Sequence, residues 1–160
     1  MRLLILGLSA TGKTTLATTL RTITNAPVID VDDAVRAITG GSWPADMDTL
    51  DALFESVNRD VIGLPRAIYL TSWLTAAQIR EFATTGWTLI ELHAEVHERI
   101  NRRIARGDSM NEAIRDRILR HHAMLDTVVL ETHNLFTKMF DVTKMTTQEL
   151  VAKLQPYLVD

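Results

Sequence analysis

The residues best suited to chemistry stand in one stretch near the start of the chain. Residues 7–15 read Gly-Leu-Ser-Ala-Thr-Gly-Lys-Thr-Thr, so a lysine and a threonine follow the second glycine directly. Glycines at this spacing let backbone N–H groups converge on an anion, the lysine adds a positive charge, and the threonine hydroxyl can hold Mg²⁺. The pattern predicts a phosphate-binding loop. Its predicted ligands are Gly7, Ser9, Ala10, Thr11, Gly12, Lys13, Thr14 and Thr15, with Thr14 also on the metal.

The sequence on each side of this loop supports that interpretation. The apolar run Leu3–Leu6 comes directly before it and predicts a strand, whereas the segment from Lys13 to about Ile23 has the pattern of a helix. A helix that begins at the loop directs its positive end towards a bound phosphate. An ordinary glycine-containing turn is the alternative, and this strand-loop-helix context disfavours it.

Composition limits the classes of protein that this chain can represent. With 160 residues and no cysteine, the sequence fits one domain, here residues 1–160, without disulfides or thiolate metal sites. A net charge of −3 argues against a large nonspecific nucleic-acid surface. The apolar start is too short for a signal peptide, and no later stretch is long enough to span a membrane, so we expect a cytoplasmic protein.

Apolar runs alternate with helix-period segments along the whole chain. This alternation predicts an α/β fold, a three-layer αβα arrangement around a five-stranded parallel sheet. We expect the strands at about residues 2–6, 28–31, 67–70, 87–92 and 139–142, and a capping box at Thr146–Glu149. The carboxyl ends of such strands form the ligand-binding edge of the sheet.

Three aspartates follow the second predicted strand at this edge. Asp32 is the candidate general base for an acceptor hydroxyl, and Asp30 is a candidate for holding Mg²⁺ through a water. The alternative is that these carboxylates cap the next helix, and Asp33 is well placed to do so. Arg36, one turn beyond Asp32, is a candidate for holding an anionic acceptor or is simply a solvated helix residue.

Positive charge is concentrated in residues 97–122, which contain seven arginines. Those at positions 99, 102, 103 and 106 recur at helical spacing beside a break at Gly107. Such a stripe is suited to a lid, at about residues 99–117, that clamps transition-state charge, with Arg102 and Arg106 as the contacts. A salt-bridged surface helix is the alternative.

Aromatic residues and the region 40–60 bear on the acceptor. Trp43 and Trp73 could stack on a ring near the acceptor, although each also fits a half-buried loop position. We expect the acceptor pocket to be formed by residues 40–60 and neighbouring loops. His93 and His97 lack the sequence context of a zinc site and predict none.

The order of these motifs resembles the nucleoside-monophosphate-kinase-like group of P-loop kinases. Val31-Asp32-Asp33 with Arg102-x-x-x-Arg106-Gly107 is similar to polynucleotide 5′-hydroxyl kinases, in which these positions carry the base and the clamp. Asp33–Ala37 resembles a segment of adenylate kinases, but their G-[FY]-P-R segment is absent after the third predicted strand. Asp30-Val31-Asp32 matches the D-x-D of shikimate-type kinases. The resemblance implies that the adenine of ATP rests on residues 141–144, including Thr143 and Lys144.

These motifs together predict an ATP- and Mg²⁺-dependent kinase. The expected acceptor is a hydroxyl of a nucleoside, a nucleotide or a nucleic-acid end. Two alternatives remain open: a kinase for a small metabolite or an antibiotic, and a nucleotide-binding regulator that makes no phosphorylated product.

Overall fold

Strands and helices alternate along the chain, as the sequence predicts. The computed structural model describes residues 1–44 and 46–159. The elements are β1 (Arg2–Leu6), α1 (Lys13–Ile23), β2 (Val28–Asp30), α2 (Val31–Ile38), α3 (Met47–Ile62), β3 (Ala67–Thr71), α4 (Ala76–Thr84), β4 (Thr88–His93), α5 (Val96–Ala105), α6 (Glu112–Thr132), β5 (Lys138–Asp141) and α7 (Thr147–Leu154). Short 3₁₀ turns follow α6 and α7 at His133–Leu135 and Gln155–Tyr157.

The five strands form one parallel sheet in the order β2-β3-β1-β4-β5. The strand that leads into the predicted phosphate loop is central, because Leu4 of β1 pairs with Tyr69 of β3 on one side and Leu89 of β4 on the other. All five carboxyl ends therefore lie at one edge of the sheet. This arrangement confirms the predicted α/β fold class.

The two faces of the sheet are covered by different helices, and β1 shows why. Its successive side chains point to opposite faces, so Leu3 and Ile5 pack with Leu16 of α1 and Leu150 of α7. On the other face, apolar residues of α2, α3, α4 and α6 pack against Leu4 and Leu6. The result is the predicted three-layer arrangement.

Local capping fixes where several helices begin. The predicted capping box of α7 is present. The Thr146 side chain accepts a hydrogen bond from the Glu149 N–H, and the Glu149 side chain accepts one from the Thr146 N–H. Val31 begins α2 instead of ending β2, because the Asp30 side chain caps that helix. Gly107, with a φ of 85°, allows the turn between α5 and α6.

None of the described helices is both long and apolar enough to cross a membrane.

Candidate active site

The loop between β1 and α1 has the backbone geometry of a phosphate cradle. At Gly7 a Cβ atom would lie 2.8 Å from Thr11 Oγ1 and 3.1 Å from Leu92 Cβ, so only glycine fits there without a shift. Gly12 is the N-cap of α1 with a φ of 95°, and no side chain caps that helix. The first N–H groups of α1 are consequently left for an anion, and the loop fits a phosphate group.

Lys13 lies folded against this loop. Its ammonium is buried, with 6% of the residue exposed, and it donates to the Leu8 carbonyl over 3.0 Å and to the Gly7 carbonyl. Burial lowers the pKa of Lys13 to about 8, although Asp32 and Asp30 oppose the shift. A phosphate in the cradle would offer this lysine a charged partner in place of two carbonyls.

Thr14 and Asp30 form a hydroxyl–carboxylate pair at the edge of the cradle. Thr14 Oγ1 donates to Asp30 Oδ2 over 3.1 Å, and Asp30 is 1% exposed. Mg²⁺ in nucleotide sites is held by one or two oxygen ligands together with phosphate oxygens and waters. These two residues fit that donor set, Thr14 directly and Asp30 through a water.

The three aspartates at the end of β2 and the start of α2 have three different environments. Asp30 is the helix cap, because its Oδ1 accepts from the Asp32 N–H over 3.0 Å. Asp33, for which the sequence suggested capping, instead forms a 3.0 Å ion pair with Arg21 at the surface. Asp32 is half-buried, and desolvation raises the pKa of its carboxyl while Lys13 acts to lower it. Asp32 is thus a partly buried carboxylate in the field of the loop lysine.

The arginines of α5 do not behave as one stripe. Arg99 is buried at 2% exposure and donates from Nε to the Ser9 carbonyl of the phosphate loop over 2.8 Å. Arg103 pairs with Asp108 in the turn that follows. Arg106 is exposed and donates to the Arg102 carbonyl over 3.3 Å. The lid over residues 99–117 therefore stays a prediction, and its arginines have separate surroundings.

Arg102 is held between the phosphate loop and the segment after β5. Its guanidinium donates to the carbonyls of Val142 over 2.9 Å, Thr143 over 2.6 Å and Ala10 over 3.3 Å, and Nε pairs with Glu98. In this conformation Arg102 joins the loop to the predicted adenine segment, and its role in the predicted clamp stays a prediction.

Two adjoining cavities lie where the resemblance places adenine. The first, about 310 Å³, has both phosphate-loop and β5–α7 residues in its wall: Thr11, Gly12, Arg102, Val142, Met145, Thr146, Thr147 and Leu150. The second, about 510 Å³, is lined by Glu95, Asp141, Thr143, Lys144, Met145, Glu149 and Lys153. The predicted residues Thr143 and Lys144 line the second cavity only.

A third cavity, of about 300 Å³, opens on the other side of the phosphate loop, and we call it the acceptor cavity. It is lined by Leu8, Ser9, Leu50, Asp51, Phe54, Ser72, Trp73, Arg99, Arg103, Arg117, Ile118, His121 and Met124. Trp73 lines it together with Leu50, Asp51 and Phe54 of the region 40–60, and contact of these residues with an acceptor stays a prediction. Its polar lining carries more positive charge than negative.

Trp43 and Arg36 lie outside this lining. The Arg36 guanidinium carbon stands 5.3 Å from the centroid of the Trp43 ring, which in turn lies 6.3 Å from the Phe54 ring. Phe54 lines the acceptor cavity, so Trp43 contacts one residue of its wall. Direct substrate contact by Arg36 and Trp43 stays a prediction.

The polar residues of the acceptor cavity that the sequence did not suggest as acceptor ligands include Asp51, Ser72, Arg103, Arg117 and His121. One signal was present, since Arg117 and His121 are four residues apart and so share a face of α6. Nothing local could show that this face is directed towards α3.

Comparison with known proteins gives a fold but no family. No family model matches the sequence, and no curated protein matches it. Among solved structures, a shikimate kinase from Aquifex aeolicus has a TM-score of 0.71 at 17% identity, covering 99% of this chain and 96% of that one. A shikimate kinase from Acinetobacter baumannii in complex with shikimate has a TM-score of 0.76 at 16% identity, covering 98% and 91%.

A gluconokinase from Sinorhizobium meliloti is also similar, with a TM-score of 0.65 at 14% identity over 98% of this chain and 93% of that one. At these identities the likeness shows that the chain has the fold of the P-loop kinases. The resemblance to polynucleotide kinases, based on Asp32, Asp33, Arg102 and Arg106, is not shown by these comparisons.

Proposed function

We propose that this chain is an ATP-dependent kinase that transfers the γ-phosphate to a hydroxyl group of a small molecule. The observation that carries the proposal is that the phosphate loop and the acceptor cavity share Leu8 and Ser9. The donor cradle and the proposed acceptor site therefore have these two residues in common. Phosphoryl transfer depends mainly on such positioning and on charge stabilisation.

The donor half is argued from the cradle and its neighbours. Backbone N–H groups at the start of α1 and the ammonium of Lys13 hold the phosphates, and Thr14 and Asp30 hold Mg²⁺, which neutralises developing charge when bound. The cavities beside Arg102 and Lys144 receive the adenine. ATP and Mg²⁺ are thus the proposed donor and metal.

Asp32 is the proposed base for the acceptor hydroxyl. Its half-buried position raises its pKa, which makes a carboxylate a better proton acceptor near neutral pH. Its interaction with Lys13 places it near the cradle. Arg106 is exposed and donates to the Arg102 carbonyl, and it is the residue of the predicted clamp that we propose to contact a transferring phosphate.

The acceptor cavity favours a small molecule with an anionic group. Its volume of about 300 Å³ lies at the lower end of the range for small-molecule sites. Arg103 and Arg117 offer planar donors that suit a carboxylate or a phosphate, and Asp51 can accept from a hydroxyl. Phe54 and Trp73 supply an apolar wall. The similar shikimate kinases and gluconokinase support a small acceptor over a nucleic-acid end.

The direct test measures transfer from labelled ATP to a panel of acceptors. The panel contains hydroxylated carboxylic acids, neutral sugars, nucleosides, mononucleotides and single-stranded DNA with a 5′-hydroxyl. We expect label on an anionic small hydroxyl compound. Arg117→Met should then raise the KM of that acceptor at least tenfold, whereas Arg120→Met, an exposed residue of α6 outside the cavity, should not.

Two outcomes would overturn the proposal. Label found only on 5′-hydroxyl DNA or on nucleosides would return the acceptor to the nucleic-acid class. Tight ATP binding with no labelled product from any acceptor would identify a nucleotide-binding regulator instead of an enzyme.

A further inference from the structure

Arg99 is the most deeply buried arginine near the phosphate loop, and its charge needs a structural reason. It is 2% exposed, and burial lowers its pKa to about 10, so the guanidinium is still charged at neutral pH. A buried cation is tolerated only where hydrogen bonds replace its hydration. The partners of Arg99 therefore fix its position closely.

These partners belong to two parts of the molecule that are distant in sequence. Arg99 Nε donates to the Ser9 carbonyl over 2.8 Å, and a second guanidinium nitrogen lies 3.1 Å from His122 Nδ1. Ser9 belongs to the phosphate loop and His122 to α6. One side chain of α5 thus joins the donor cradle to a helix that forms part of the acceptor cavity.

The hydrogen bond between Arg99 and His122 fixes the protonation state and the tautomer of the His122 imidazole. An arginine nitrogen can only donate, so Nδ1 must be the unprotonated acceptor and Nε2 must carry the hydrogen. Nε2 faces Asp126 Oδ2 at 3.6 Å. The hydrogen bond from Arg99 to His122 therefore exists only while the imidazole is neutral.

We propose that Arg99 and His122 are positioning residues. They hold the phosphate loop and α6 in a fixed relative position, so that the donor cradle and the acceptor cavity stay in the same orientation to each other. Arg99 fixes the Ser9 backbone, and His122 fixes Arg99 from the side of α6. Ile118 and His121, which line the acceptor cavity, lie on the same helix within four residues of His122. The proposal rests on the proposed function only in taking ATP as the ligand of the cradle.

The charged groups around His122 influence its pKa and so the pH at which its hydrogen bond with Arg99 is lost. Asp126 faces it from α6, Arg99 from α5, and His93 from β4, with the two imidazole centroids 5.8 Å apart. Glu91 of β4 also faces this group, because it lines a small cavity of about 10 Å³ together with Arg99, His122 and Asp126. Burial lowers the pKa of His122, the Asp126 carboxylate opposes this shift, and Arg99 and His93 act in the same direction as burial. Protonation of His122 at acid pH turns Nδ1 into a donor, so the hydrogen bond from Arg99 is lost.

The test measures binding of MgATP by calorimetry in the full chain, so it needs no acceptor. Arg99→Met removes both contacts and His122→Phe removes one, whereas His122→Asn keeps an acceptor oxygen. We expect Arg99→Met to weaken MgATP binding about tenfold and His122→Phe at least about threefold, with His122→Asn close to the parent protein. His97→Phe, an exposed change on α5, is the matched control.

Two further readouts separate positioning from general destabilisation. The effects of Arg99→Met and His122→Phe should not add in the double variant, because both break one chain of contacts. The His122 C2–H resonance should titrate at higher pH in Arg99→Met than in the parent, because a neighbouring cation is lost. In His122→Phe, amide hydrogen exchange of residues 7–12 should become faster while β1 stays protected.

Several results would overturn the proposal. MgATP affinity that is unchanged in His122→Phe would show that α6 does not act on the cradle, and additive effects would show two independent contacts. If Arg99→Met does not fold, His122→Phe still decides, since the His122 side chain is 20% exposed and tolerates replacement more readily. Failure of the kinase proposal is distinguishable, because it would appear as absent phosphate transfer in a parent protein that binds MgATP.

Discussion

Thr14 Oγ1 donates a hydrogen bond to Asp30 Oδ2 over 3.1 Å, joining the first turn of α1 to the end of β2. Both oxygens stand at the edge of the phosphate cradle, and Asp30 is held further by its bond to the Asp32 N–H. A hydroxyl and a carboxylate in this relation are the kinds of oxygen ligand that the proposed Mg²⁺ site requires.

Thr14→Val should therefore weaken nucleotide binding only in the presence of the metal. We expect about a tenfold loss of ATP affinity in Mg²⁺ and almost no change in EDTA, because the hydroxyl contacts the metal and not the phosphate. Thr14→Ser should retain binding, and Thr22→Val, an exposed change on α1, is the control. Equal losses with and without Mg²⁺ would show that Thr14 acts on the nucleotide or on the fold.

The lowered pKa of Lys13, about 8, predicts a pH dependence of ATP binding. The free ammonium loses its proton as pH rises through 8, and a bound phosphate favours the charged form, so affinity should fall above pH 8. At pH 8, binding should take up about half a proton, which calorimetry in buffers of different ionisation enthalpy measures. Lys13→Met should abolish that uptake. Binding without proton exchange at pH 8 would contradict the assignment.

Asp32→Asn tests the proposed base. The change should lower kcat about 10²- to 10⁴-fold while the affinity for ATP changes little, since the carboxylate acts on the acceptor proton. In the parent protein the rate should fall as pH drops through the raised pKa of Asp32, and this acid limb should be absent in the variant. Asp33→Asn, which removes a surface ion pair with Arg21, should leave kcat unchanged. An unaltered rate in Asp32→Asn would remove Asp32 from catalysis.

The fold and the backbone geometry of the phosphate loop could be predicted because their signals are local. The loop motif, the apolar strands and the Thr146–Glu149 capping box each depend on residues close together in sequence, and all are present in the structure. The assignment of the cap of α2 shows the limit of this approach. Sequence spacing allowed Asp33 to cap, whereas the backbone directs Asp30 to do so.

The acceptor half could not be predicted in the same way, because long-range packing decides it. Helical spacing predicted that Arg99, Arg102 and Arg106 share one stripe. In the structure Arg99 is buried, Arg102 is hydrogen-bonded to loop carbonyls, and Arg106 is exposed, because α6 and the loops pack differently around each of them. The acceptor cavity likewise requires α3 to meet α6, which no local pattern encodes. Trp73 lines it and Trp43 does not, although both are loop tryptophans in the sequence.

Glu91 in β4 is a buried carboxylate whose presence reduces stability. It is 3% exposed, and its Oε2 has no hydrogen-bond partner among the described residues. Burial raises its pKa, with Asp126 acting in the same direction and His93 against it. The folded state therefore binds more protons than the unfolded state just above the ordinary pKa of a glutamate, and stability falls as pH rises through that window.

Glu91→Met, which keeps the length of the side chain and removes the charge, should stabilise the protein. We expect the free energy of unfolding at pH 7 to rise by about 1 kcal/mol, the order of the penalty for an unsatisfied buried polar group. Urea unfolding at pH 4.5 and pH 7 measures it, and the gain should shrink at the lower pH because Glu91 is then protonated in the folded state. Glu81→Met, at an exposed position of α4, should show no such pH-dependent gain. A variant less stable than the parent at pH 7 would mean that the Glu91 carboxylate contributes a favourable interaction with His93 that outweighs its burial.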